Sequence, residues 1–90
     1  VAYRVGSRHA LDRGAAGRAI LAGRSQAEPH AVATTGEIQP GAIGVAAPVL
    51  GVAGLEASVG VVAIGHLDVD GVSPEVLAAA AAVAERLTRS

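Results

Sequence analysis

The sequence predicts an α+β fold in which helices flank an antiparallel sheet. Two apolar stretches rich in β-branched residues, 42–50 and 57–66, are joined by the glycine-containing segment 51–54, as in a β-hairpin. Two other segments, 12–22 and 73–87, begin with residues typical of a helix start and continue with apolar side chains at helical spacing. Hairpin strands pair antiparallel, so we expect the helices to pack on an antiparallel sheet.

The first helix is predicted to follow Asp12, whose carboxylate can accept hydrogen bonds from the free N–H groups of the next turn. Gly23 is predicted to end it. Gly14 and Gly17 in its opening turns each cost about 0.5–1 kcal/mol relative to alanine. We therefore expect a strand, a loop or a ligand to approach closely here. The apolar stripe of this helix consists almost wholly of small residues: Ala15, Ala16, Ala19, Ile20 and Ala22.

The segments on either side of this helix are short. Residues 2–5 are typical of a strand end, and residues 25–29 form a polar connection. Residues 30–34 alternate weakly in polarity, which predicts a short edge strand. Residues 36–41 contain a Pro-Gly pair and predict a turn.

Apolar side chains occur on both faces of the two longer strands. We therefore expect helices to cover one face of the sheet, and loops or a ligand to cover the other. The last helix is predicted to open at Ser73 and Pro74, as an N-cap and a first-turn proline. Its predicted buried face consists of Val76, Leu77, Ala80, Val83, Ala84 and Leu87.

Composition limits the classes of protein. The chain is 51% hydrophobic, but Tyr3 is its one aromatic residue, so Val, Ile, Leu and Ala must build the core. A core of small side chains in 90 residues gives thin stability, and the chain begins in what reads like a strand. We therefore expect residues 1–90 to be a single partial domain. With no cysteine, disulfides and thiol chemistry are excluded from it.

The charge pattern argues against nucleic-acid binding by this segment. The net charge is −1, and the seven basic residues are arginines scattered along the chain without a basic run. The longest apolar run, residues 76–84, is far shorter than the roughly 20 residues that span a membrane. No signal peptide is recognisable, so a cytoplasmic domain without membrane contact is predicted.

Several of these motifs resemble, in the same order, the second half of the effector-binding domain of IclR-type transcriptional regulators, a branch of the GAF-like folds. Residues 16–22, Ala-Gly-Arg-Ala-Ile-Leu-Ala, are similar to that family's first helix in this region. A loop with Glu37, the Ala-Ala-Pro-Val of residues 46–49, an apolar strand at 59–65 and a closing helix at 73–87 follow. The opening at residues 11–14 is more similar to generic GAF domains.

The resemblance implies a truncated GAF-like effector-binding domain over residues 1–90. It implies a small-molecule effector bound between the first helix, its flanking loops and one sheet face. It also implies a homodimer or homotetramer within a DNA-binding regulator, whose winged helix-turn-helix would precede this segment. A sensing domain of this kind is not an enzyme and needs no cofactor.

The predicted ligand-binding residues lie at the helix start, in the loops and on the strands. Tight packing without a ligand is the favoured alternative for residues 15–17, as is a solvated loop position for His9 and Glu37. Because Gly44, Val62 and Ile64 donate no side-chain hydrogen bond, we expect an effector more apolar than a small keto-acid, such as an aromatic compound. The full set is His9, Ala15, Ala16, Gly17, Thr34, Thr35, Glu37, Gly44, Val62 and Ile64.

Other chemistry has less support, and no catalytic or metal-binding residue is predicted. Gly14 and Gly17 do not form a phosphate cradle, since a polar run rather than a buried strand precedes them. His66 and Asp68 are too few to bind a metal ion, and Asp68 with Asp70 is expected to shape a turn.

Two further interpretations of the whole chain remain open. The five alanines at 78–82 fit a dimer surface or a solvated helix face. The chain could accordingly be a structural dimerisation module, or a generic GAF signalling domain without a functional pocket. A small enzyme of unrecognised type is disfavoured, because no nucleophile with a base occurs at plausible spacing.

Overall fold

The computed structural model describes residues 12–24, 30–37 and 40–89. The three described strands form one antiparallel sheet in the order β1-β2-β3, so the predicted α+β class is confirmed. The strand end expected at residues 2–5 lies outside the described residues. The elements in chain order are α1 (Ala15–Arg24), β1 (Val32–Thr35), β2 (Ala42–Val49), β3 (Ala57–Ile64) and α2 (Val69–Arg89).

Strand β2 is the centre of the sheet. It pairs along its whole length with β3, from Ala42 opposite Ile64 to Val49 opposite Ala57, which confirms the predicted hairpin. The short β1 pairs with the other side of β2 and is an edge strand of the sheet formed by the described residues, as predicted. Six consecutive β2 residues, 44–49, are buried, so this strand organises the core.

The two helices lie on opposite faces of the sheet. Val45, Ala47 and Val49 of β2 form a buried cluster with Val76 and Ala80 of α2. On the other face, Ala46 packs with Ala15 and Ala19 of α1. The expectation that helices cover only one face is wrong. Small β2 residues on the second face let α1 approach closely, although Val62 and Ile64 of β3 remain 39% and 52% exposed there.

Helix α2 begins at Val69, well before the predicted start at Ser73. Its N-cap is Asp68, whose carbonyl accepts the N–H of Val72 at 3.0 Å and whose Oδ1 accepts that of Gly71 at 3.2 Å. The expected opening at Ser73 and Pro74 is therefore wrong, as is the turn expected at Asp68. An aspartate cap satisfies the first-turn N–H groups earlier, and Pro74 removes only one helical donor farther along.

Helix α1 ends at Arg24, and the predicted stop at Gly23 is wrong. A Cβ at Gly23 would lie 3.1 Å from the Cβ of Pro48 and 3.2 Å from the Cδ2 of Leu50. Glycine here permits close packing of the last helical turn on the sheet.

Candidate functional site

The start of α1 is built around Gly14. The Gly14 carbonyl accepts the N–H of Arg18 at 3.1 Å, which makes Gly14 the N-cap residue. Its φ of 84° lies in the left-handed region that favours glycine. Asp12 lies two residues before this cap, so the expected Asp12 cap is wrong.

The carboxylate at the start of α1 comes from Glu37, which follows β1. Its Oε1 accepts the Gly14 N–H at 3.0 Å and the Nε of Arg18 at 2.9 Å. Its backbone carbonyl accepts the Nε and Nη2 of Arg13 at 3.2 and 2.6 Å. We call Arg13, Gly14, Arg18 and Glu37 the Glu37 clasp. The clasp ties the loop after β1 to the first helical turn.

Electrostatics keep Glu37 ionised in the clasp. The hydrogen bond from the Gly14 N–H lowers the pKa of the Glu37 carboxyl, and Arg18 and Arg13 act in the same direction. Partial burial opposes this shift without cancelling it. The positive end of the helix dipole therefore already faces a carboxylate of the protein itself.

Several predicted ligand-binding residues meet beside the clasp. A Cβ at Gly44 would lie 3.2 Å from the Cβ of Ala15 and 3.6 Å from the Oγ1 of Thr34. Beside this contact lies a hollow of about 110 Å³, which we call the small hollow. Its lining residues are Ala15, Ala16, Val45, Ala46, Ser58, Gly60, Val61 and Val62.

The other predicted residues are more dispersed. Gly17 is buried on α1. Thr35 is exposed and lies on the opposite face of β1 from Thr34, because successive strand residues alternate. Ile64 lies two residues beyond Val62 and outside the small hollow. His9 lies outside the described residues.

Ser58 lines the small hollow but was not predicted from the sequence. It shares the α1 side of β3 with Gly60 and Val62, and it is the one polar side chain among the described residues that line the small hollow. Because side chains alternate along a strand, every second residue before Val62 lies on the same face. This alternation could have predicted Ser58 as a site residue.

A larger groove lies at the other end of α1, where no ligand contact was predicted. It has a volume of about 540 Å³ and separates the last turn of α1 from the β2–β3 connection. We call it the hairpin groove. Its lining residues are Ile20, Gly23, Arg24, Pro48, Val49, Leu50, Gly51, Leu55, Glu56 and Ala57.

An arginine–glutamate pair lies at the edge of the hairpin groove. The Nε of Arg24 is 2.5 Å from Oε2 of Glu56, and its Nη2 is 3.0 Å from Oε1. The hydrogen bonds from Arg24 lower the pKa of Glu56, and Glu56 in turn raises the pKa of Arg24. Both side chains are about half exposed, so the pair adds little to stability.

The described ranges 12–24, 30–37 and 40–89 contain no group of three or more side chains that could hold a metal ion. Within the same ranges, neither helix has the length and hydropathy needed to cross a membrane.

Comparisons of the chain with protein-family models, curated proteins and solved structures found no match. The resemblance to IclR-type effector domains therefore depends on the order and spacing of motifs in this sequence.

Proposed function

We propose that this chain is a ligand-sensing regulatory domain of the IclR type, which binds a small organic effector and couples binding to oligomerisation. The observation that supports the proposal is a convergence beside α1. Ala15, Thr34 and Gly44 meet there, and Ala16 and Val62 line the adjacent small hollow. All five belong to the set of residues that the sequence predicts to bind a ligand.

The chemistry of this face favours an apolar effector. Glu37 already occupies the positive end of α1, so a small keto-acid would meet a like charge there. The strand residues Val62 and Ile64 present exposed apolar side chains on the same face. An effector would act by binding one arrangement of α1 and the loops more tightly than another, since only this difference in affinity shifts the equilibrium.

In this proposal the chain itself is not an enzyme and does not contact DNA. A winged helix-turn-helix preceding this segment would bind the operator, in a cytoplasmic homodimer or homotetramer. Helix α2 offers an apolar surface for assembly, because Val83 and Leu87 are 38% and 46% exposed.

The test is a thermal-shift and calorimetric titration against matched aliphatic, aromatic and keto-acid compounds. An effector that binds only the folded chain must raise its melting temperature, by an amount that grows with ligand concentration. We expect shifts from the aliphatic or aromatic members. Shifts from keto-acids alone would overturn the apolar effector, and no shift from any member would overturn the sensing function.

The second candidate is a structural dimerisation module without a ligand. It is favoured by the exposed apolar side of α2, where Val83 and Leu87 accompany four exposed alanines among residues 78–82. Sedimentation of Leu87→Ser against the parent chain, without any ligand, tests it. A ligand-independent dimer that Leu87→Ser dissociates supports this candidate, whereas a monomer in both proteins opposes it.

A further inference from the structure

We propose that the hairpin groove is a second ligand site, and that it takes an uncharged, largely apolar molecule with one hydrogen-bond acceptor, such as an amide or ester carbonyl. This inference rests on the sensing function proposed above and extends it. It adds a ligand site at the opposite end of α1 from the small hollow.

The first argument is volume. Ligand pockets in proteins usually measure about 300–1,000 Å³, and a cavity of about 150 Å³ holds a molecule the size of benzene. The small hollow, at about 110 Å³, falls below both values. The hairpin groove, at about 540 Å³, lies within the usual range. Of these two hollows among the described residues, the hairpin groove is the one with the volume usual for a ligand pocket.

The second argument is the lining of the groove. Ile20 on α1, Pro48 and Leu50 on the sheet side, and Leu55 on the connection supply its apolar walls. Leu55 is 39% exposed, which leaves apolar surface that a ligand would remove from water. Gly51 adds backbone without a side chain, and nothing lies within 4 Å of where its Cβ would be, so a ligand can approach the main chain there.

The third argument is the state of Arg24. Glu56 takes the Nε and one Nη2 hydrogen of its guanidinium, and none of the described residues accepts a hydrogen bond from Nη1. A guanidinium has five N–H donors, so Arg24 retains donors for a second acceptor. Glu56 also neutralises the charge, and a neutral carbonyl therefore suits this edge better than a second carboxylate.

The groove also contacts the core beneath α2. Two of its lining residues contact the cluster that holds Val76 and Ala80 of α2. Val49 is a member of that cluster, and Ala57 packs against it. A ligand in the groove would therefore touch residues that support the helix proposed for assembly. This contact gives the effector a physical route to the oligomeric state.

The experiment uses two probes with the same alkyl chain, octanamide and octanoate, titrated into the ¹⁵N-labelled 90-residue chain. We expect octanamide to bind more tightly than octanoate, with amide shifts concentrated at Gly23, Gly51 and Leu55. Shifts concentrated at Ala15, Ala16 and Val62 would overturn the groove as the site and leave the sensing function standing. Absence of binding by octanamide would also overturn the groove proposal.

Two variants test the roles assigned to groove residues. Leu55→Ser should weaken octanamide binding about tenfold, because an apolar wall is lost. Leu87→Ser on α2, with a similar exposed fraction and no place in the groove, is the matched control. Titrated at a concentration at which parent and variant chains are both monomeric, it should leave binding unchanged. Equal affinities of the two variants would contradict the proposal.

Glu56→Gln tests whether Glu56 makes the groove prefer a ligand with an uncharged head group. Removing the negative charge leaves Arg24 unneutralised, so octanoate should gain about twofold to fivefold in affinity relative to octanamide. A merely structural role for Glu56 would change the affinity for both probes alike, and that result would overturn the assignment. The thermal-shift panel described above judges the sensing function separately.

Discussion

Helix α1 is joined to its surroundings by an arginine–glutamate pair at each end, and the two ends differ in what the glutamate binds. Glu37 accepts the main-chain N–H of Gly14 as well as the Arg18 guanidinium, and its side chain is only 26% exposed. Among the described residues, Glu56 accepts hydrogen bonds from the Arg24 side chain alone, and it is 53% exposed.

This difference gives Glu37 a structural role and Glu56 a role at the edge of a proposed binding groove. A carboxylate that bonds a helix N-terminus fixes the direction in which the chain enters the helix. The hollow at that end of α1 is the smaller of the two, at about 110 Å³ against about 540 Å³. A solvated ion pair contributes little to stability and instead sets the charge at the edge of an open groove. The following predictions test this contrast.

The largest expected effect concerns packing at the start of α1. In Gly44→Val, the new Cβ would lie 3.2 Å from the Cβ of Ala15, and two further methyl groups would press on the helix. Overpacking of this kind costs about 1–3 kcal/mol. We expect the free energy of unfolding, measured by urea titration, to fall by that amount.

Gly23→Ala at the hairpin end of α1 is the control. Its Cβ meets Pro48 and Leu50 at similar distances, but alanine gains about 1 kcal/mol in helix propensity over glycine. The net change should be much smaller than that of Gly44→Val. Equal losses in the two variants would contradict the overpacking expected from the two further methyl groups of valine at position 44.

The second prediction compares the two glutamates. Glu37→Gln should lower the melting temperature more than Glu56→Gln, because Glu37 bonds both a main-chain donor and a guanidinium. Circular dichroism melts of both variants beside the parent chain provide the measurement. A larger loss in Glu56→Gln would contradict the contrast between clasp and groove edge.

The smallest expected effect is the pH dependence of stability. Hydrogen bonds lower the folded-state pKa values of Glu37 and Glu56 below the ordinary 4.5. Their carboxylates therefore stabilise the fold fully above pH 4.5, and this contribution is lost as the pH falls through the lower folded-state values. Denaturant titrations at a series of acidic pH values should show the loss.

The variants assign that loss to individual groups. Glu37→Gln should flatten the acid limb of the pH profile more than Glu56→Gln does. A profile that neither substitution changes would remove both carboxylates as its source.

The sequence predicted those features that depend on local pattern. The hairpin of β2 and β3, the edge strand near residue 32 and both helices follow from periodicity and turn residues, and all are observed. Among these local features, the wrong predictions concern the boundaries of the helices. Asp12 and Asp68 are equally good caps by type, but only Asp68 immediately precedes its helix.

The candidate site was less predictable. Residues 15, 16, 34, 44 and 62 belong to the predicted ligand-binding set, and they lie together at the start of α1. The hairpin groove was missed because its walls come from three separate segments of the chain. No short motif marks such a site.

The sequence by itself determined which segments are helices and strands, because propensity, alternation and turn residues act over a few neighbouring positions. Only the tertiary structure decided that α1 and α2 cover opposite faces, that Glu37 rather than Asp12 meets the start of α1, and that Arg24 reaches Glu56. Each of these facts joins residues far apart in the chain, and such contacts depend on packing that no local pattern records.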